Sequence, residues 1–313
     1  MLKKWKLARE RDGRGATSYF SLRADFSGRK QVKDRCNATL YPETTYRSLK
    51  GNCMLSLLLA GLSGLVVGSF LCLAADRYRP GVSGRQWLLS LALPASHCAE
   101  CEHHLMYRDL IPVYSWCRTQ GKCRYCQTKL PQRLLITELL TSLLFTLLAS
   151  YQTAVVFLLF SLLFSAALIV LSLIDQQHLL LPDAITLPLL WLGLLYHLIL
   201  FPAGLASAVT GALLGWLCLW MLYWGFWGWY RRKGIGYGDM KLFAALGAWC
   251  GWQALPLIAT AAAVLGLSRF VFCYWQNKAA DWHCRQPFGP YLAIAGWIVF
   301  VWQTQAADAI SLP

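Results

Sequence analysis

The chain has 313 residues, of which 57% are hydrophobic, 14% charged and 14% aromatic, with 15 Trp. Soluble domains run at about 45–50% apolar and about 25% charged residues, so composition excludes an ordinary water-soluble fold and indicates a membrane protein. A formal net charge of +14 invites a nucleic-acid reading. Its distribution argues against one: the first 53 residues carry 13 basic and 5 acidic residues, without an aromatic-interleaved platform or recognition motif.

Residues 1–53 therefore form a polar, basic N-terminal extension without apolar periodicity. Met54 opens directly onto Leu55-Ser56-Leu57-Leu58-Leu59. Two explanations of the extension stand: it is disordered and placed outside by the spans that follow, or it derives from an upstream start codon. The second is preferred. No cleavable signal peptide is evident, because the first apolar run leads to Asp76-Arg77 without a small-residue cleavage site.

A membrane helix needs roughly 20 apolar residues. Runs near that length occur at 54–75, 134–151, 154–174, 184–201, 205–229, 241–253, 254–275 and 288–306. The fold class expected is an all-α polytopic membrane protein of about eight spans. The turns at Tyr151-Gln152-Thr153, Phe201 to Gly204 and Gln253 to Pro256 are uncharged. Basic residues crowd the alternate connections: Arg77 to Arg133, Arg231 to Lys241, and Lys278 with Arg285. Because cytoplasmic loops retain Lys and Arg, these connections are assigned to the cytoplasm. The expected organisation is the extension (1–53), a first span (54–75), a cytoplasmic segment (76–133) and a membrane core (134–313).

The cytoplasmic segment carries Cys98-Ala99-Glu100-Cys101 and Cys123-Arg124-Tyr125-Cys126. Each pair can grip one metal ion from a tight turn, and two pairs complete a tetrahedral thiolate site. A reducing cytoplasm favours zinc over disulfides. Four thiolates leave no open position, so the zinc is read as structural. His97, His103, His104 and Cys117 lie close enough in sequence to substitute as ligands.

Ionisable residues at membrane depth are costly and so mark candidate sites. Asp175 ends the third run, Asp183 precedes the fourth, and Asp239 closes Gly236-Tyr237-Gly238-Asp239 before the sixth. All three fall on the cytoplasmic edge. Two carboxylates in a poorly solvated site split their titrations, leaving one ionised to activate water and one protonated to serve the substrate. Gly236 and Gly238 would let the backbone approach a bound chain closely. Asp183, after Pro182, also suits a helix cap.

Several blocks then resemble the type IV prepilin peptidases, a family of bifunctional leader peptidases and N-methyltransferases. They are Val67-Gly68-Ser69-Phe70-Leu71, Asp109 to Trp116 with Gly121 to Cys126, Asp175 through Pro182-Asp183 to Pro188, Gly236 to Trp249, and Pro287-Phe288-Gly289-Pro290-Tyr291. The resemblance implies Asp175 and Asp239 as the catalytic pair. It also implies cleavage of a basic leader after a Gly in prepilins or pseudopilins, and methylation of the new N-terminus from S-adenosylmethionine. A bacterial inner-membrane location follows from the same resemblance, with lipid as the remaining partner and no nucleic acid. No glycine-rich fingerprint marks a site for S-adenosylmethionine. The sequence departs from the family pattern at Cys72 to Pro80, at Ala99 in the first cysteine pair and at Gln177. Two other classes are weighed: a non-catalytic scaffold of a pilus or secretion assembly, and an ion-coupled transporter. The first would tolerate loss of both aspartates; the second calls for midplane carboxylates and an internal repeat.

Overall fold

A computed structural model describes residues 43–92, 97–98, 100–104, 112–152, 154–231, 236–276 and 286–310, with side chains described from residue 54 to 305 except at 230 and 276. The extension before residue 43, Ala99, Asp109 to Ile111 of the loop signature, Lys278, Cys284 and Arg285 lie outside the described residues. The chain divides between Cys53 and Met54 into two units. All that follows concerns the second.

Ten α-helices are described: α1 (Glu43–Asp76), α2 (Gly84–Ala92), α3 (Tyr114–Thr119), α4 (Gln132–Tyr151), α5 (Val155–His178), α6 (Asp183–Leu200), α7 (Leu205–Tyr230), α8 (Tyr237–Cys250), α9 (Leu255–Gln276) and α10 (Gly289–Ile310). The eight long or apolar ones, α1 and α4 to α10, correspond one for one to the eight apolar runs. Among the described residues, six helical segments are long and apolar enough to cross a membrane: those of α1 and α4 to α7, and Trp252–Trp275 around α9. The protein is a multi-pass membrane protein.

The departures from the sequence reading have local causes. At 14 residues, α8 is too short to span about 30 Å of hydrocarbon as a straight helix. It is stable because protein surrounds it: Met240 and every residue from Leu242 to Cys250 are buried, and α6, α7, α9 and α10 pack around it. A helix apolar on all sides belongs in such an interior. Helix α5 runs one turn beyond the apolar run, to His178, where Leu179 takes a left-handed conformation and its N–H reaches the Asp175 carbonyl at 2.9 Å. Asp175 thus lies inside the last turn rather than after it.

Small residues set the helix spacing. Gly64 and Gly68 of α1 lie against the backbone of Ser142 and Glu138 in α4, where an added Cβ would come within 2.6 and 2.8 Å of the respective Cα atoms. Gly211 of α7 meets Gly247 of α8 backbone to backbone. Close approach of this kind supplies the packing that apolar burial cannot provide within lipid. Deep in the bundle, Trp249 donates its indole N–H to the Leu189 carbonyl at 2.8 Å and stacks on Tyr196, and Phe164 and Phe300 fill the same core. Helix α2 folds back against α1, and Trp87 donates to the Ala74 carbonyl at 3.1 Å.

One end of the bundle gathers the polar contacts. There Asp76, at the end of α1, pairs with Arg133 at the start of α4 (3.0 Å) and accepts from Gln177 at the end of α5 (3.3 Å). The 3-10 turns Pro202–Gly204 and Trp252–Ala254 close the opposite end.

Candidate active site

The Gly-Tyr-Gly-Asp sequence folds as a helix start. Gly236 is the N-cap of α8, and Asp239 is the third helical residue, whose carboxylate turns back to the Gly236 backbone N–H. This is the return half of a capping box, and it fixes the Asp239 side chain at the mouth of the helix. Gly238 is required by closeness: a Cβ there would lie 2.8 Å from the Leu181 Cβ.

Asp175 approaches from α5. It is buried, and one carboxylate oxygen accepts the Gly289 N–H at 2.9 Å. Gly289 opens α10, so this carboxylate sits on the positive end of that helix. A Cβ at Gly289 would fall 2.7 Å from the same oxygen and 3.3 Å from Leu181 Cδ2. Leu181 is therefore wedged between the glycine beside Asp239 and the glycine beside Asp175. Chain segments distant in sequence bring Asp175 and Asp239 to the two sides of Leu181, near enough for the Asp175 charge to act on Asp239. Two carboxylates so arranged can hold one proton between them.

Asp183 stands apart. The cap position before α6 belongs to Pro182, with no side-chain cap bond. Asp183 instead opens the helix and takes both bonds from the Lys241 ammonium, at 2.6 and 2.7 Å. Lys241 is thereby accounted for by Asp183 and not by Asp239.

Sequence reasoning missed two positions. Gly289 was visible only as part of a family block, since nothing local announces that its N–H meets a carboxylate 114 residues away. The other is Glu138 of α4, buried, which accepts the Val113 N–H at 2.8 Å. Val113 is β-branched yet has φ 58°, a conformation costing on the order of 1–3 kcal/mol. A hydrogen bond to a carboxylate is worth roughly 1.5–3 kcal/mol, enough to offset it. The contact ties the cysteine-bearing segment to the bundle.

That segment contains two matching turns. His97 bridges to His104 and Lys122 to Lys129. Within them the Cys98 N–H donates to the His103 carbonyl (3.0 Å) and the Cys123 N–H to the Thr128 carbonyl (2.8 Å). The residue after each second cysteine, Glu102 or Gln127, takes a positive φ. The sulfurs of Cys98, Cys101, Cys123 and Cys126 all lie within 4.8 Å of one another, and those of Cys98 and Cys126 are 3.8 Å apart. A tetrahedral ion with metal–sulfur bonds near 2.3 Å sets its sulfurs about 3.8 Å apart, so the four residues fit a metal ion. Hydrogen bonding from Thr128 holds the Cys126 thiol down at about 6, and backbone N–H groups of Cys101 and Glu100 lower Cys98. Cys117 is exposed and outside the cluster.

A model of the type IV leader peptidase family matches residues 162–271, and one of the bacterial peptidase A24 N-terminal domain matches residues 62–152. Among similar proteins, the prepilin leader peptidase/N-methyltransferase of Aeromonas salmonicida is 39% identical over 262 residues, covering 77% of this chain and 89% of the relative. Those of Pseudomonas putida and Stutzerimonas stutzeri bear the same name. The first is 40% identical over 78% of this chain and 90% of its own, and the second 37% identical over 84% and 96%. No solved structure matches the chain.

Proposed function

The chain belongs to the type IV leader peptidase family, and we propose that it removes the basic leader of prepilins or pseudopilins and then N-methylates the new terminus. The observation that carries the peptidase reading is the meeting of Asp175 and Asp239 at one end of the bundle, each oriented by a backbone N–H at the start of a helix.

Asp175 and Asp239 are the catalytic pair. Two carboxylates sharing one proton let one accept a proton from an attacking water. The other gives its proton to the scissile carbonyl oxygen. The proton taken from water then passes to the leaving nitrogen as the C–N bond breaks, and the intermediate's hydroxyl proton returns to the second carboxylate as the carbonyl reforms. Water attacks the carbonyl carbon after the leader Gly, the C–N bond breaks, and a new amine is released. S-adenosylmethionine supplies the methyl group that this amine receives, and no residue of this chain is assigned to hold it. Cys98, Cys101, Cys123 and Cys126 hold a zinc ion that fastens the two turns together. Four sulfur ligands would leave no place for water, so such an ion would stabilise the segment and not take part in hydrolysis. The end of the bundle bearing the pair and the cysteine turns faces the cytoplasm of a bacterial inner membrane, in agreement with the basic residues gathered there. The carboxylate pair leaves neither the scaffold nor the transporter reading a specific observation in its favour.

The test combines purified protein, a leader-bearing prepilin and S-adenosylmethionine, followed by intact-mass measurement. The expected product has lost the leader and gained the mass of one methyl group. Asp175→Ala or Asp239→Ala lowers cleavage by roughly 10⁴-fold, whereas Asp183→Ala, which breaks only an exposed ion pair worth about 0.2–1 kcal/mol, keeps appreciable activity. Equal losses at all three positions would overturn the assignment.

A further inference from the structure

Helix α7 has two unlike faces. Ala208, Gly211, Gly215 and Tyr223 turn inward and are buried against the bundle. Outward, Trp216, Trp220, Trp224 and Trp227 recur every three or four residues and so share one face. Their rings form a continuous ladder, with successive centroids 5.8, 6.1 and 5.5 Å apart, and each is 36–47% exposed.

Anchoring at the membrane surface accounts for only part of the ladder. Interfacial belts place Trp near helix ends, and Trp227 fits that role, with Arg231 lying 5.5 Å from its ring centroid. Trp216 lies eleven residues deeper, about 16 Å along the helix at 1.5 Å per residue, well inside a hydrocarbon layer about 30 Å thick. Indole N–H donors are expensive to leave unmet at that depth. The inward-turned indoles of Trp87, Trp249 and Trp297 donate to Ala74, Leu189 and Ser165. For Trp216 and Trp220 no such bond is found among the described residues. A flat aromatic surface carrying donors, facing lipid, suits a helix bringing small residues and accessible carbonyl groups.

The ladder also leads to the site. Trp224 touches Tyr223 (5.9 Å between centroids), Tyr223 touches Tyr237 (5.1 Å), and Tyr237 precedes Asp239 by two residues. We infer that the outer face of α7 is the docking track for the apolar transmembrane helix that follows the scissile bond of the substrate. This inference rests on the peptidase reading above. A substrate cleaved at the membrane surface has its downstream helix in the bilayer, and an aromatic face that packs through the inward-turned Tyr223 against the start of α8 holds that helix in register. The track makes the enzyme prefer membrane-embedded substrates to soluble peptides of the same cleavage sequence.

The test compares the wild type with the double variant W216A/W220A on two substrates: a full-length prepilin in nanodiscs, and a short soluble peptide containing only the leader and the first residues after the scissile bond. For the double variant, KM on the full-length substrate is expected to rise roughly tenfold with little change in kcat, given modest worth per interhelical contact. Cleavage of the short peptide stays unchanged, and W216F/W220F, which keeps the flat surface but removes the indole donors, recovers only part of the loss. No effect on either substrate, or equal effects on both, would overturn the inference. A changed oligomeric state accompanying the KM shift would assign the face to a second copy and overturn it as well. If the wild type cleaves neither substrate, the peptidase reading itself fails, which is a different result.

Discussion

Asp175 and Asp239 look alike in sequence, as acidic residues bordering apolar runs, and Asp183 looks no different. Their partners separate them. Asp183 is held by the Lys241 ammonium, while Asp175 receives a backbone N–H from Gly289 and Asp239 one from Gly236. A backbone donor orients a carboxylate without neutralising it, whereas a lysine removes it from acid–base work at the site. Gly289 therefore has a definite part: its missing side chain leaves room for the Asp175 oxygen that its N–H binds. Gly289→Ala is expected to displace that carboxylate and reduce kcat for leader cleavage roughly 10²-fold, since misplacement near 1 Å has about that effect. Single-turnover kinetics would check this, with circular dichroism to show that the helical content survives; an unchanged rate would remove Gly289 from the site.

At the scale of elements, the two cysteine turns were legible because their chemistry is local. A Cys-x-x-Cys turn organises its own sulfurs, and the only long-range event needed is the meeting of two such turns. That the metal-fitting set consists of four cysteines, with Cys117 outside it, required the folded segment. The protein is expected to carry one zinc per chain by elemental analysis. Cys123→Ser should lower that content severalfold and loosen residues 97–130, read as faster hydrogen exchange there, because binding energy at such sites is folding energy. Retention of the full zinc content in Cys123→Ser would count against the four-cysteine site. Helix α8 illustrates the opposite limit. Its apolar run reads as a short span, yet its length is tolerated because four helices enclose it, a circumstance to which composition is blind.

The whole molecule is organised by its ends. Among the described residues, the Asp76–Arg133 pair, the Lys241–Asp183 pair and both candidate catalytic carboxylates gather at one end of the bundle. Their orientation in a living membrane is open to a direct check. In a variant keeping the four clustered cysteines and Cys117 alone, a membrane-impermeant thiol reagent should leave the exposed Cys117 unmodified in intact spheroplasts and modify it after permeabilisation. Modification before permeabilisation would place the catalytic end outside.

Composition and periodicity were sufficient for an all-helical membrane protein and its apolar runs, because a hydrocarbon layer imposes length rules on each segment separately. The +14 net charge likewise resolves into a basic extension and a basic-lined end of the bundle. Which carboxylates form the pair was implied by resemblance and not by local pattern. The Gly289 and Glu138 contacts and the enclosure of α8 belong to tertiary structure alone. Each depends on which helices become neighbours, and in a membrane that choice turns on close packing and a few polar contacts between residues far apart in the chain.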